Sequence, residues 1–419
     1  MPIDVVIIGA GAAGILAAIR CAQRGLSTML LEKNARPGVK ILMSGGTRCN
    51  VTHATDVQGI LDAYHSQGRF LKTALWNFTP DDILRILHDH GCPTKVEETG
   101  KIFPVSDRAT DVLAALMQAL HSTGAQIRYE SAVRSIVRHE SDFEIMLDDD
   151  SLRTRRIIVT TGGKSYPGCG TTGDAYAWAT SLGHTIVTPR PALVPLTTNI
   201  DWVRDLTGIT LPDVRVHMEL PKHLRPKTKR PPLDHARGSF LFTHFGLSGP
   251  SILDVSGAYS LAQLVDDTDA VASLVCDFCP DVSGDTLTNQ FQQAIQAKGK
   301  QVVTSLIPDH LPRRFAESLL DHLGIPPATR LSELRKDDRL RLEQALKGVR
   351  IPLSGTRGFK KAEVTAGGIE LSEVDPKSMQ SRLCPGLYFA GEVLDIDGPI
   401  GGFNFQAAFS TAWLAADSI

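Results

Sequence analysis

The chain of 419 residues has the length of about three domains at roughly 150 residues each, which excludes a single small module. Hydrophobic residues make up 42% and charged residues 21%, a balance that excludes overall disorder. With 44 basic and 46 acidic residues the formal charge is −2, so no global field draws in nucleic acid or an anionic membrane, and 7 cysteines make neither a disulfide framework nor a metal signature.

Val5 to Ile19 form an apolar run that could pass for a signal-peptide core, yet Asp4 precedes it, no basic segment does, and three glycines interrupt it at fixed spacing. No other stretch approaches the ~18 apolar residues of a membrane span. Together with the cysteine usage this gives a cytoplasmic chain as the expectation. Read as structure, Ile3 to Ile8 is a strand buried on both faces of a parallel sheet. The turn Gly9-Ala10-Gly11-Ala12-Ala13-Gly14 follows, then a helix to Arg24, Gly25 as its C-terminal cap, and a second strand from Thr28 to Leu31 ending in Glu32 and Lys33. This is the full context of a dinucleotide fingerprint. Gly9 permits the turn, Gly11 lets backbone approach a pyrophosphate, and Gly14 lets helix and strand pack closely. The helix start offers unpaired N–H groups to phosphate. Glu32, placed to accept hydrogen bonds from a ribose, disfavours a 2′-phosphate.

The fingerprint alone does not choose between NAD and FAD. Next comes a polar loop of little side-chain bulk, with Lys40 and then Ser44-Gly45-Gly46-Thr47-Arg48-Cys49-Asn50, suited to an extended phosphate and ribityl chain. A helix carries Ala109, Val112, Leu116 and Leu120 on one face, and the segments 126–138 and 143–147 alternate like strands. Ile157 to Val159 is another buried strand, entering the turn Thr161-Gly162-Gly163. Near the C-terminus Gly386 to Phe389 forms a strand that reaches Gly391 and Glu392, followed by Asp395, Asp397, Gly401, Gly402, Phe403, Asn404 and a helix from about Gln406 to Ala416. Three glycine-rich strand ends are expected to converge on the carboxyl edge of one sheet. A nicotinamide site does not need all three; a long FAD molecule does. The last helix is expected to aim its N–H groups and dipole at the negative charge of a reduced flavin.

Several features carry less. Gly168 to Gly173 repeats the glycine spacing but follows no strand directly. Cys276 and Cys279 lack a second pair. The stretch 221–232, with Lys222, Arg225, Lys227, Lys229 and Arg230 among prolines, is read as a solvated loop; no aromatics are interleaved for stacking on bases. Thr243 to Pro250 is read as a turn into a helix, with His244 as a candidate proton donor.

Taken together, Gly9 to Gly14 with Glu32, Lys40 to Asn50, Gly100 to Pro104, Thr161 to Asp174, Thr243 to Pro250 and Gly386 to Gln406 resemble the HI0933-like, BaiN-like or aminoacetone-oxidase-like family of bacterial FAD-binding flavoproteins, over nearly the whole chain. That family usually reads SGGGRCN where this chain has Thr47. The resemblance implies an α/β fold with a Rossmann-like FAD-binding domain of the GR2 type, interrupted by an insert with a β-barrel-like part and a small helical part. The domains are placed at 1–190 with 363–419, at 191–284 with 349–362, and at 285–348. It also implies that backbone near Val133 lies over the adenine. The expected function is FAD-dependent oxidation or reduction of a small metabolite, with NAD(P)H as a transient donor or oxygen as acceptor. No catalytic residue and no metal is assigned. The alternatives are an RNA-associated flavoprotein and a flavin-binding regulatory protein without turnover.

Overall fold

A Val/Ile run can be covered on both faces, and in the strand Ile3–Ile8 the residues Val5, Val6 and Ile7 are fully buried. The computed structural model describes residues 3–64, 67–224, 232–265 and 272–419, in one unit of Met1–Pro191 with Phe359–Ile419 and a second of Ala192–Gly358.

In the first unit the sheet order is Gln126–Arg128, Thr28–Leu31, Ile3–Ile8, Ser151–Val159, Phe143–Met146 and Ser135–Arg138, with Leu387–Phe389 also on Ser151–Val159. Ser151–Val159 serves two partners on one edge: its first half pairs antiparallel with Phe143–Met146 and its last residues pair parallel with Leu387–Phe389. Ile7 is in register with both Leu30 and Ile158, so Gly9, Glu32 and Thr160 leave the sheet along one edge. The chain leaves Ile3–Ile8 for Thr28–Leu31 on one side and returns to Ser151–Val159 on the other. The switch point, where such sheets bind ligands, falls at Gly9 and Thr160. Helix Ala12–Gln23 packs on the terminal helix Phe403–Asp417, and Arg20 Nε donates to Asp417 at 2.9 Å.

Two expectations for this unit change. The terminal helix starts at Phe403, three residues before the expected position, directly behind two residues of positive φ, Gly401 (133°) and Gly402 (92°). Residues 126–138 are not one strand. They break between Arg128 and Ser135, where Ser131 N–H is drawn off to the Glu32 carbonyl at 2.9 Å.

The second unit holds an antiparallel seven-stranded sheet in the order Val349–Pro352, Ser273–Asp277, Thr210–Glu219, His235–Thr243, Gly246–Ser248, Leu196–Thr197, Gly355–Thr356. Its two edge strands are separated in the chain by only Leu353 and Ser354. The sheet therefore curls until its edges meet, and Ser354 N–H donates to the Thr197 carbonyl at 2.8 Å. Helices Gly284–Ala297, Arg313–His322 and Lys336–Gly348 pack their buried Leu287, Phe291, Phe315, Leu319 and Leu346 into the same core. A short strand, Gly246–Ser248, intervenes before helix Pro250–Ala262, so the segment from Thr243 is a hairpin first and a helix entry second. Cys276 lies in its strand and Cys279 beyond the end of it; both are buried. His244 is exposed, edge-on to Phe245. Of the basic stretch, Arg225, Lys227, Lys229 and Arg230 lie outside the described residues. Among the described residues no helix is long and apolar enough to cross a membrane.

Candidate cofactor site

The first turn separates the roles of its glycines by steric room. A Cβ on Gly14 would stand 1.8 Å from the Gly9 carbonyl oxygen, and one on Gly9 would stand 2.9 Å from the Thr160 oxygen. On Gly11 it would meet nothing within 4 Å. Gly14 and Gly9 are glycines because the protein is there. Gly11 leaves open space. No side chain caps the helix that starts at Ala12, so the N–H groups of Ala12 and Ala13 face that space with the positive end of the dipole. Ala13 also meets the C-terminal strand end: a Cβ on Gly391 would lie 3.0 Å from Ala13 Cβ.

Glu32 is buried, and one carboxylate oxygen accepts the Ala10 N–H at 2.8 Å while the other accepts Asn34 N–H and Nδ2, both at 2.8 Å. It thereby fixes the turn as well as ending its strand. Val133, also buried, follows Ser131 on the Glu32 side. Lys33 reaches across to Asp174 and, at 2.9 Å, to Thr172 in the second glycine loop. That loop packs down on the first segment, since a Cβ on Gly170 would meet Asn34 at 2.8 Å.

The middle and C-terminal glycine-rich strand ends are joined to Lys40 by one polar network. Lys40 Nζ pairs with Glu392 and donates to Ser165 Oγ at 2.6 Å. Ser165 Oγ donates to the other Glu392 oxygen at 2.6 Å, which also accepts Thr365 N–H at 2.9 Å. Thr365 Oγ1 accepts the N–H groups of Lys164 and Ser165 at 2.7 and 3.0 Å. A side chain on Gly163 would collide with Thr365 at 2.4 Å, and one on Gly162 with Thr171 at 2.8 Å. Thr161 precedes this pair, next to Thr160, whose hydroxyl donates to the Gly9 carbonyl at 2.9 Å.

The polar loop is a run of left-handed residues: Gly45 (φ 55°), Gly46 (φ 67°), Thr47 (φ 71°) and, after Arg48, Cys49 (φ 61°). Thr47 thus holds a glycine-like conformation, at a cost of ~1 kcal/mol. Cys49 is buried and its thiol is pushed up to about 12 by burial. Asn50, buried, accepts the Gly402 N–H at 3.0 Å and donates to the Thr52 carbonyl at 3.0 Å in the amide orientation that satisfies its surroundings. A Cβ on Gly402 would meet the Thr52 oxygen at 2.5 Å. The loop after Ser44 and the start of the terminal helix are therefore held against one another, and Gln406 adds a buried bond from Thr52 Oγ1 at 2.8 Å. His53 stacks on Phe403 with ring centroids 4.7 Å apart and sits 3.1 Å from the Gly401 oxygen.

Two expected ligand residues are engaged elsewhere. Arg48 is paired with Glu97 at 2.6 Å and lies 3.9 Å over the Phe103 ring. Asn404 staples its own loop, accepting Gly398 N–H and donating to the Gly398 carbonyl, both at 2.9 Å. Asp395 is buried and its carbonyl accepts from Gln67 at 3.2 Å. Asp397 is raised to about 6, first by burial and then by Asp395 and Glu392, against the pull of Arg190. Sequence reasoning passed over Ser165, Thr365, His53 and Gln67. Ser165 was within reach as the polar residue beside a glycine turn; the others carry no local signal.

A family model described as the HI0933-like protein Rossmann domain matches residues 3–418. The chain is 33% identical over 420 residues to the ribosomal RNA dihydrouridine synthase of Escherichia coli (strain K12), covering 99% of this chain and 98% of that protein. It is 31% identical to the Haemophilus influenzae protein of the same name, covering 99% and 98%. It is 30% identical to the 3-dehydro-bile acid delta(4,6)-reductase of Clostridium scindens, covering 98% and 97%.

Proposed function

The chain belongs to the HI0933-like family of FAD-binding flavoproteins, and from that premise we propose that it is a reductase of a carbon–carbon double bond conjugated to a carbonyl, with uridine in RNA as substrate. The observation that carries this reading is the pair of full-length relatives at 33% and 31% identity that share the name ribosomal RNA dihydrouridine synthase. Making dihydrouridine saturates the uracil double bond that is conjugated to a ring carbonyl. Reducing a delta(4,6) bond of a 3-oxo bile acid, the reaction in the third relative's name, is the same chemical problem on another skeleton.

The residues present fit FAD. The open space over Gly11 and the uncapped helix start suit a pyrophosphate, bounded by Gly9, Ala12, Ala13 and Gly14. Glu32, Lys33 and Val133 would hold the adenosine. Lys40, Ser44 to Thr47, Cys49, Asn50, Thr161 to Gly163, Gly391, Glu392, Asp395 and Gly401 to Phe403 would hold the ribityl chain and the ring. Bound there, FAD supplies a hydride equivalent, with NAD(P)H as the proposed source. The chain's own part is to orient the ring and to set its electrostatics through the start of helix Phe403–Asp417.

The test is anaerobic. The FAD-loaded protein is bleached with NADH or NADPH and then offered uridine-containing RNA or a 3-oxo-Δ4,6 steroid. Reoxidation by RNA, with dihydrouridine formed, supports the reading. Reoxidation by the steroid alone favours the second skeleton, and reoxidation by neither contradicts the reductase assignment.

A further inference from the structure

Saturating a conjugated double bond takes a proton as well as a hydride equivalent, and most of the cofactor-site residues above are already engaged: Asp397, raised to about 6, accepts from Gln67 Nε2 at 3.4 Å. Lys40 and Glu392 are paired with each other, and Asn404 is bound to its own loop. All seven cysteines are buried.

Glu363 stands two residues before Thr365, which is locked to the Lys164–Ser165 turn and to Glu392. Its carboxyl is half-buried and has no hydrogen-bond partner among the described residues. Three groups from separate segments lie in electrostatic reach: Lys40 of the first loop, Lys101, and Tyr166. Lys101 pairs across its strand with His53, the residue that stacks on Phe403 at the start of the terminal helix. The acid therefore belongs to the neighbourhood that the proposed flavin-holding segments frame. Tyr166 itself is a non-glycine residue at φ 52°, held by its N–H bond to the Phe359 carbonyl at 3.0 Å. Such strain persists where surrounding structure over-determines a functional position.

We propose that Glu363 is the acid that delivers the second hydrogen, protonating the substrate carbon next to the carbonyl. This rests on the reductase reading. With FAD bound and reduced, the carbon β to the carbonyl would take the hydride equivalent it supplies, and the π pair would move to the α carbon and capture the proton leaving the Glu363 oxygen. Substrate gains two electrons and two hydrogens, and the flavin loses two electrons. The carboxylate that remains is stabilised by Lys40 and Lys101 and regains a proton from water. Burial raises this carboxyl above the usual carboxylate range while the two lysines pull it back, a balance suited to an acid that must both give and recover a proton.

The experiment uses FAD-loaded wild type and Glu363→Gln, with FAD content as the check on folding. Single-turnover reoxidation of the reduced protein by RNA or by the steroid should slow by about 100-fold or more in the variant, and Glu363→Asp should recover part of it. Equal rates in wild type and Glu363→Gln overturn the inference and leave the reductase reading standing. A wild type reoxidised by neither substrate overturns both. A second measurement needs no turnover: in an infrared pH titration the protonated-carboxyl band that Glu363→Gln removes should disappear at higher pH than that of an ordinary glutamate, and a Glu363 band that titrates like an ordinary glutamate overturns the inference.

Discussion

At the scale of single residues, the glycines of the first turn make opposite predictions. Gly14→Ala puts a methyl into the Gly9 carbonyl and should destabilise the protein by about 1–3 kcal/mol in urea unfolding, with or without FAD. Gly11→Ala meets nothing in the protein and its φ of −86° is ordinary, so it should cost at most about 1 kcal/mol as a weaker helix cap. Its effect should be on FAD, which competes with the methyl for the same space; equal FAD affinity in Gly11→Ala would contradict the placement of the pyrophosphate. Asp397 gives a pH prediction. Its folded value of about 6 lies above the ordinary 3.8, so the folded chain holds the proton more tightly and loses stability as pH rises through that range. Asp397→Asn removes this slope and should gain on the wild type in urea unfolding between about pH 4 and pH 7. Parallel curves would contradict it. The separate roles of Gly11 and Gly14 were legible in the sequence from the spacing of the fingerprint; the shift of Asp397 was not, since in the sequence it is one acid in an acidic turn.

At the scale of elements, the strand, turn and helix around Gly9 were legible because each signal is local: a Val/Ile run, a glycine spacing, a capped helix. The network of Lys40, Ser165 and Glu392 was not, because its members are brought together only by strand order. The sequence alone puts the start of the terminal helix near Gln406. The structure shows that left-handed Gly401 and Gly402, with Asn404 closing the loop on Gly398, let the helix begin at Phe403. That correction sharpens a prediction. Asn404→Ala frees the loop that sets the helix start and should lower the flavin midpoint potential by about 10–20 mV, the worth of a weakened helix dipole. An unchanged potential in a still FAD-loaded variant would count against the helix as the stabiliser of reduced flavin.

At the scale of the whole molecule, composition gave a near-neutral chain, and that favoured a small-molecule substrate over RNA. Net charge reports the average field and says nothing about a local patch. The Rossmann class was legible from the strand, glycine turn and helix at the N-terminus, and the part of the C-terminal segment in it was implied by the family resemblance. The curl of the insert sheet was not, since it depends on Leu353 and Ser354 bridging two edges that look like unrelated strands. If RNA is the substrate, the basic stretch 221–232 is the sequence feature suited to its phosphates, and neutralising Lys227, Lys229 and Arg230 together should weaken RNA binding and flatten its dependence on salt. The most direct test of the central claim is mass spectrometry of nucleosides from ribosomal RNA incubated with the FAD-loaded protein and NAD(P)H. The account predicts dihydrouridine in proportion to enzyme, and none with Gly11→Ala protein that has lost its FAD. Ribosomal RNA whose uridines stay unreduced beside a fully reduced flavin would contradict it.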